Sequence, residues 1–179
     1  MTKTRKILIT GGVRSGKSRL ALSLAKEFIE PRIFIATAQA FDPEIKKRIE
    51  RHQKERGADF STREEPLYLS TAVDSLPPNS IAVIDCLTLW LNNLLFHFKN
   101  DDIRITEQIN LFIKSFRNSP ANIIVITNET GWGIIPVNEL SRQYIEKTGL
   151  LNQEIAAISN EVILTVAGLP HWMKGKKND

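Results

Sequence analysis

The sequence predicts an α/β fold, a mainly parallel central sheet with helices on both faces. Three observations predict it. Short unbroken runs of Val, Ile and Leu recur along the chain, as expected of strands buried on both sides. Longer stretches with apolar residues at helical spacing lie between them. The first apolar run also passes through a glycine-rich loop directly into the first helical stretch, the strand–loop–helix order of a phosphate-binding unit.

Each element has its own signal. Lys6-Ile-Leu-Ile-Thr10 reads as the first buried strand, and Leu20, Leu24 and Phe28 then share a helical face with Ala21 and Ala25 beside them. Arg32-Ile-Phe-Ile-Ala36 reads as the second strand. A helix is predicted from Asp42 to about Arg56, because Asp42 suits the N-cap, Pro43 the first helical position and Glu44 the positive end of the dipole. Ser61–Glu64 reads as a short strand, and Pro66 to Leu76 as a helix ended by Pro77-Pro78-Asn79. Ser80-Ile-Ala-Val-Ile-Asp85 is a buried strand. Helical stretches over about 87–98 and 103–118 flank the polar Lys99-Asn-Asp-Asp102. Asn122–Asn128 is a further strand, a loop through Pro136 leads to a helix over about 137–159, and Glu161–Val166 is the last strand. In such sheets ligands bind at the carboxyl ends of the strands, so chemistry is expected after Thr10, Ala36, Asp85 and Asn128.

A chain of 179 residues fits one domain, expected over 1–173, with a basic, disordered tail over 174–179. No apolar run approaches the ~18 residues of a membrane span, and the first residues lead straight into a strand without a secretory signal. The single cysteine, Cys86, excludes an internal disulfide, so a cytoplasmic location is expected. The formal charge is +4. Lys174-Gly-Lys-Lys-Asn-Asp179 carries three Lys and one Asp, which leaves little basic excess for a nucleic-acid surface.

Residues 11–18, Gly-Gly-Val-Arg-Ser-Gly-Lys-Ser, match the pattern G-x-x-x-x-G-K-[ST] of a P-loop. Gly11 and Gly16 allow the tight turn that points amides at phosphate oxygens. Lys17 carries charge to the β- and γ-phosphates, and Ser18 offers a hydroxyl to Mg²⁺. Asp85 ends an apolar strand, as a Walker-B acid does, and could hold the same Mg²⁺ or cap the following helix; the loop upstream favours the metal. Cys86 reads as a small buried residue. On the helix from Asp42, Ile45, Ile49 and His52 share one face, so His52 points inward among Arg48, Arg51, Lys54 and Arg56. It is either a neutral imidazole acting as nucleophile or base, or a hydrogen-bonded histidine at the core edge. His97 reads as packing, His171 lies near the tail, and three histidines with one cysteine offer no zinc spacing. Gly131 and Gly133 permit a tight path after the fifth strand, where Asn128 and Glu129 could bond a substrate hydroxyl or the metal, or simply line a turn.

Six segments together resemble the family of bifunctional adenosylcobinamide kinase / adenosylcobinamide-phosphate guanylyltransferases. They are Thr10–Ser18, Ile35-Ala-Thr-Ala-Gln39, Arg48-Ile-Glu-Arg-His-Gln-Lys-Glu-Arg56, Asp85-Cys-Leu-Thr-Leu-Trp-Leu-Asn-Asn93, Thr127-Asn-Glu-Thr-Gly-Trp-Gly-Ile-Ile-Pro136 and Asn152-Gln-Glu-Ile-Ala-Ala157. The resemblance implies a RecA-like P-loop fold, a homotrimer, and His52 as the residue that attacks the α-phosphate of GTP and carries GMP. It places nucleotide contacts on the loop (Gly11, Gly12, Val13, Arg14, Ser15, Gly16, Lys17 and Ser18), on Ala36, Thr37 and Ala38, on Gln53, Lys54, Glu55 and Arg56, and on Glu64 and Asp85. Catalysis would rest on His52 and Lys17, and metal binding on Ser18 and Asp85.

Two reactions are then implied, with GTP, ATP and Mg²⁺ as nucleotides and metal and with adenosylcobinamide and its phosphate as substrates. No nucleic acid and no stable membrane insertion are expected. A P-loop kinase without nucleotidyl transfer, and a RecA-like nucleic-acid or switch module, are the competing readings. Either ATP or GTP could serve the kinase step, and either Glu129 or Asp85 could take the acceptor's proton.

Overall fold

The structure, a computed structural model, describes residues 4–29, 31–39, 59–133 and 135–175. The predicted helix from Asp42 to about Arg56, with His52, Gln53, Lys54, Glu55 and Arg56 on it, lies outside the described residues.

The elements in order are β1 (Lys6–Gly11), α1 (Lys17–Lys26), β2 (Arg32–Ala36), β3 (Ser61–Glu64), α2 (Leu69–Asp74), β4 (Ile81–Asp85), α3 (Leu87–His97), α4 (Asp102–Asn118), β5 (Asn122–Ile126), α5 (Glu139–Ile158), β6 (Glu161–Val166) and β7 (Leu169–Lys174). The sheet runs β3-β2-β4-β5-β1-β6-β7. All neighbours are parallel except β6 and β7. This is the α/β architecture the sequence predicts, a mainly parallel sheet with helices packed on both faces, with β5 inserted between the loop-bearing β1 and the Asp85-bearing β4.

The apolar runs are continuous because alternate residues serve two cores. Leu8, Ile84, Ile123 and Val125 face Trp90, Phe112, Phe116 and Leu151 from the helices of one side. Ile7, Ile9, Val83 and Ile124 face Ala21, Leu24 and Ala25 of α1 on the other. Trp90 is fully buried and its indole N–H donates to the Leu67 carbonyl at 2.8 Å, which removes the cost of burying that polar edge.

Element ends follow local chemistry. Asp101 caps α4, accepting from the amides of Ile103 and Arg104, and Asn138 caps α5 through the Ser141 amide. α2 starts at Leu69, later than Pro66, because the Glu65 carboxylate takes the amides of Leu67 and Tyr68 and holds them out of the helix. β5 stops at Ile126, before the expected Asn128, because Thr127 and Asn128 turn their side chains into the network described below.

β7 is an element the sequence reading lacks. It is antiparallel to β6 through the two-residue turn Ala167-Gly168, whose φ angles of 51° and 83° are both positive, as a tight hairpin requires. Lys174, expected to open a disordered tail, instead closes this strand and donates to the carbonyls of Ala156 and Ala157. Residues 176–179 lie outside the described ones.

At the sheet's opposite end from those strand tips, Lys6 is buried. Its ammonium donates to the carbonyls of Ser119 and Ala121 at 2.9 and 2.6 Å and lies 5.7 Å from the Phe116 ring centroid. Burial lowers its pKa to about 8 from 10.5. The unfolded chain therefore binds more protons than the folded one between about pH 8 and 10.5, and stability contributed at this site rises with pH through that window. In urea unfolding, the wild type should gain about 2 kcal/mol on Lys6→Met between pH 7.5 and 9.5. A difference that stays constant across that range refutes the assignment.

Candidate active site

The strand registers bring the predicted tips into line. Ala36 pairs with Asp85, Asp85 with Ile126, Ile126 with Ile9, and Gly11 with Thr165. The carboxyl ends of β2, β4, β5 and β1 thus form one edge, with the phosphate loop at β1.

Gly11 and Gly16 hold φ of 145° and 98°. A side chain at Gly11 would strike the Thr165 carbonyl, and one at Gly16 would lie 3.2 Å from Gly168 Cα, so both positions need glycine for space as well as for backbone freedom. Gly16 is also the N-cap of α1 and supplies no side-chain cap, which leaves the helix's first amides directed at the loop's concavity. Lys17 is 7% exposed. Its Nζ donates to the carbonyls of Gly11 and Gly12 at 3.0 and 2.6 Å, which holds the ammonium at the mouth of the loop.

The metal question can be tested on oxygens alone. Ser18 Oγ donates to Asp85 Oδ2 at 2.9 Å, across the intervening β5. A hydroxyl and a carboxylate meeting beside a phosphate loop form a hard-oxygen pair that fits Mg²⁺. The helix-capping alternative for Asp85 is not the geometry seen, since the N-cap of α3 is Cys86 and no side chain caps it.

Thr37 and Ala38 follow β2. Thr37 is fully buried and bonds across to β4, its hydroxyl donating to the Cys86 carbonyl at 2.9 Å and accepting from the Cys86 amide at 2.7 Å. Cys86 is buried, as expected, with Sγ 3.0 Å from Thr88 Oγ1. Glu64 is exposed at the end of edge strand β3, paired with Ala36. It stands four strand spacings from β1, about 19 Å, whereas Ala36 pairs with Asp85 and the Thr37 amide donates to the Asp85 carbonyl at 3.1 Å, beside the loop's Ser18. Neither remaining histidine is in the site or in a core. His97 is exposed, with its ring edge on Phe98, and His171 is exposed on β7.

Behind the tips lies a polar network whose roles the sequence did not reveal. Glu129 accepts from the Thr10 hydroxyl, and its amide donates to the Gly11 carbonyl at 3.3 Å. Asn152, 8% exposed on α5, accepts from Thr127 Oγ1 at 2.7 Å and donates to the Asn128 carbonyl and Glu129 at 3.2 and 3.4 Å. Asn128 donates to Thr88, and Asn93 donates to the carbonyls of Thr37 and Pro66. Tyr144 donates to the Thr88 carbonyl, and burial raises its phenol pKa to about 12, so it stays a donor. The signal was present in Asn152, a polar residue among Leu151 and Ile155, and in Asn93 within an apolar helix. Loop and helices are thereby tied into one preorganised edge.

Fold and edge together define a nucleotide-binding P-loop enzyme. Comparison with known proteins sharpens this. The model of the cobinamide kinase / cobinamide phosphate guanyltransferase family matches residues 7–173, and the chain belongs to that family. It is 44% identical over 170 residues to the bifunctional adenosylcobalamin biosynthesis protein CobP of Pseudomonas aeruginosa, covering 94% of this chain and 97% of that one. It is 37% identical over 175 residues to the corresponding protein CobU of Escherichia coli, covering 91% and 96%. Among solved structures, a protein from Pyrococcus horikoshii superposes with a TM-score of 0.55 at 10% identity, over 97% of this chain and 88% of that one, a likeness of fold. Among the described residues, no helix is long and apolar enough to cross a membrane.

Proposed function

We propose that this protein phosphorylates adenosylcobinamide and then converts the phosphate to adenosylcobinamide-GDP. The family match over residues 7–173 carries the reading, and the phosphate loop beside the Ser18–Asp85 pair supports it.

In the first reaction the aminopropanol hydroxyl of adenosylcobinamide attacks the γ-phosphorus of ATP or GTP. The bond to the β-phosphate oxygen breaks, and the hydroxyl proton leaves to a base. Loop amides and Lys17 hold the phosphates in line and offset their charge. Ser18 and Asp85 are the residues that would hold Mg²⁺, whose chemistry there is to neutralise phosphate charge. Glu129, held against Thr10 and Gly11 at the base of the loop, is favoured as proton acceptor over Asp85, because Asp85 would be occupied as a metal ligand with Ser18.

In the second reaction a ring nitrogen of His52 attacks the α-phosphorus of GTP and pyrophosphate leaves. A phosphate oxygen of adenosylcobinamide phosphate then attacks the same phosphorus, the N–P bond breaks, and His52 is regenerated. Splitting one displacement into two lowers the barrier of each. The phosphate loop, Ala36, Thr37, Ala38, residues 53–56, Glu64 and Asp85 are the proposed guanine-nucleotide contacts. The protein is proposed to act in the cytoplasm as a homotrimer.

The test is direct. Purified protein with Mg²⁺ and ATP or GTP should convert adenosylcobinamide to its phosphate, and with GTP should carry that phosphate on to adenosylcobinamide-GDP with release of pyrophosphate. Phosphorylation without the second product leaves a simple kinase. Neither product, with salt-sensitive binding to single-stranded DNA, supports the nucleic-acid module instead.

A further inference from the structure

The terminal hairpin touches the phosphate loop more closely than its place on the sheet edge demands. Ser15, at the loop's turn, is gripped twice. Its carbonyl accepts from the Gly168 amide at 3.0 Å, and its hydroxyl lies 2.8 Å from Thr165 Oγ1. Thr165 in turn donates to the Thr10 carbonyl at 3.2 Å, so the direction is fixed: Ser15 donates to Thr165, and Thr165 to Thr10. Thr165 and Ser15 are 1% and 8% exposed. The two glycines that shape the loop are also those that face this hairpin, Gly11 towards Thr165 and Gly16 towards Gly168.

From this we infer that the β6–β7 hairpin is a working part of the nucleotide site, with Thr165 a positioning residue that holds the phosphate loop in its anion-receiving curve. A bare loop of this kind can collapse onto its own amides, and each amide that turns away is a donor lost to the phosphates. The hairpin prevents collapse from behind. It fixes Ser15 through both backbone and side chain, and it spans from Thr10 before the loop to Ser15 within it. Thr165 meets only protein groups here and acts through the loop. The inference rests on residues 11–18 being the phosphate-binding loop, and on nothing about the corrinoid substrate.

Equilibrium binding of GTP, with thermal melting alongside, tests it on the full-length wild type and on Thr165→Val, Thr165→Ser and Lys17→Ala. Valine keeps the shape and removes the hydroxyl; serine restores the hydroxyl. Thr165→Val should weaken GTP binding about tenfold while remaining folded, and Thr165→Ser should recover to within about twofold of wild type. Thr165→Val binding as tightly as wild type, while Lys17→Ala binds poorly, overturns the role of the hairpin but leaves the loop's function standing. GTP binding unaffected by Lys17→Ala overturns the loop reading itself, and the inference with it. Should Thr165→Val fail to fold, amide hydrogen exchange in the wild type decides. GTP should slow exchange at the Gly168 amide about tenfold more than at the β7 amides; equal slowing overturns the proposal.

Discussion

Lys17→Ala is expected to lower phosphorylation of adenosylcobinamide and guanylyl transfer together, each by about a hundred- to a thousandfold. The side chain has two jobs at one place. Its ammonium, buried at the mouth of the loop, is placed to offset the charge that builds on a transferring phosphate. It also ties the carbonyls of Gly11 and Gly12, so truncation leaves two acceptors unpaired and the loop less well held. The first effect appears in kcat of the kinase step and the second in KM for nucleotide, so measuring the two constants separately distinguishes them. A shared loop predicts that both activities fall. The alternative is written in the sheet order: Glu64 lies on the edge strand β3, four strands from β1. If guanylyl transfer survives in Lys17→Ala while the kinase is lost, the second GTP binds wholly at that edge and the two reactions use separate phosphate sites. A normal melting temperature is needed in either case, because Lys17 is buried.

The difference between what the sequence disclosed and what it hid follows from where the interactions lie. β1, β4 and β5 were legible because burial on both faces turns them into unbroken apolar runs. The loop was legible because its glycines, lysine and serine must stand at fixed spacing within eight residues. β7 was not. Leu169-Pro-His-Trp-Met-Lys174 has no alternation, contains a proline tolerated only at an edge, and leaves most of its side chains exposed. Its pairing is set by two positive-φ residues in the turn rather than by a hydrophobic pattern. The site divided along the same line. That Ser18 and Asp85 meet was readable in advance because each sits at the end of a recognisable element. The bonds from Thr165 to Ser15, and from Asn152 to Thr127 and Glu129, join residues distant in sequence, and no local period records them. Glu65 shows the converse at short range: a carboxylate captures two amides and delays a helix that propensity would have begun earlier.

His52→Ala is expected to separate the two reactions. Guanylyl transfer should fall by about four orders of magnitude, since removing a covalent nucleophile leaves only binding and charge stabilisation. Phosphorylation of adenosylcobinamide should stay within about twofold of wild type, because the loop is held among the described residues by Lys17 bonding to Gly11 and Gly12, Ser18 to Asp85, and Glu129 to Thr10. Intact mass after incubation with GTP and Mg²⁺ reads the chemistry directly. The wild type should gain one GMP in a bond that acid breaks and alkali spares, as expected of nitrogen–phosphorus linkage, and His52→Ala should gain none. Because an imidazole attacks only when unprotonated, the rate of adduct formation should decline as the medium is made acidic. Added adenosylcobinamide phosphate should discharge the adduct and yield adenosylcobinamide-GDP in equal amount. A wild-type protein that binds GTP yet forms no adduct, or a His52→Ala protein that still transfers GMP at the wild-type rate, removes His52 from the mechanism and leaves direct attack of the corrinoid phosphate on GTP as the route.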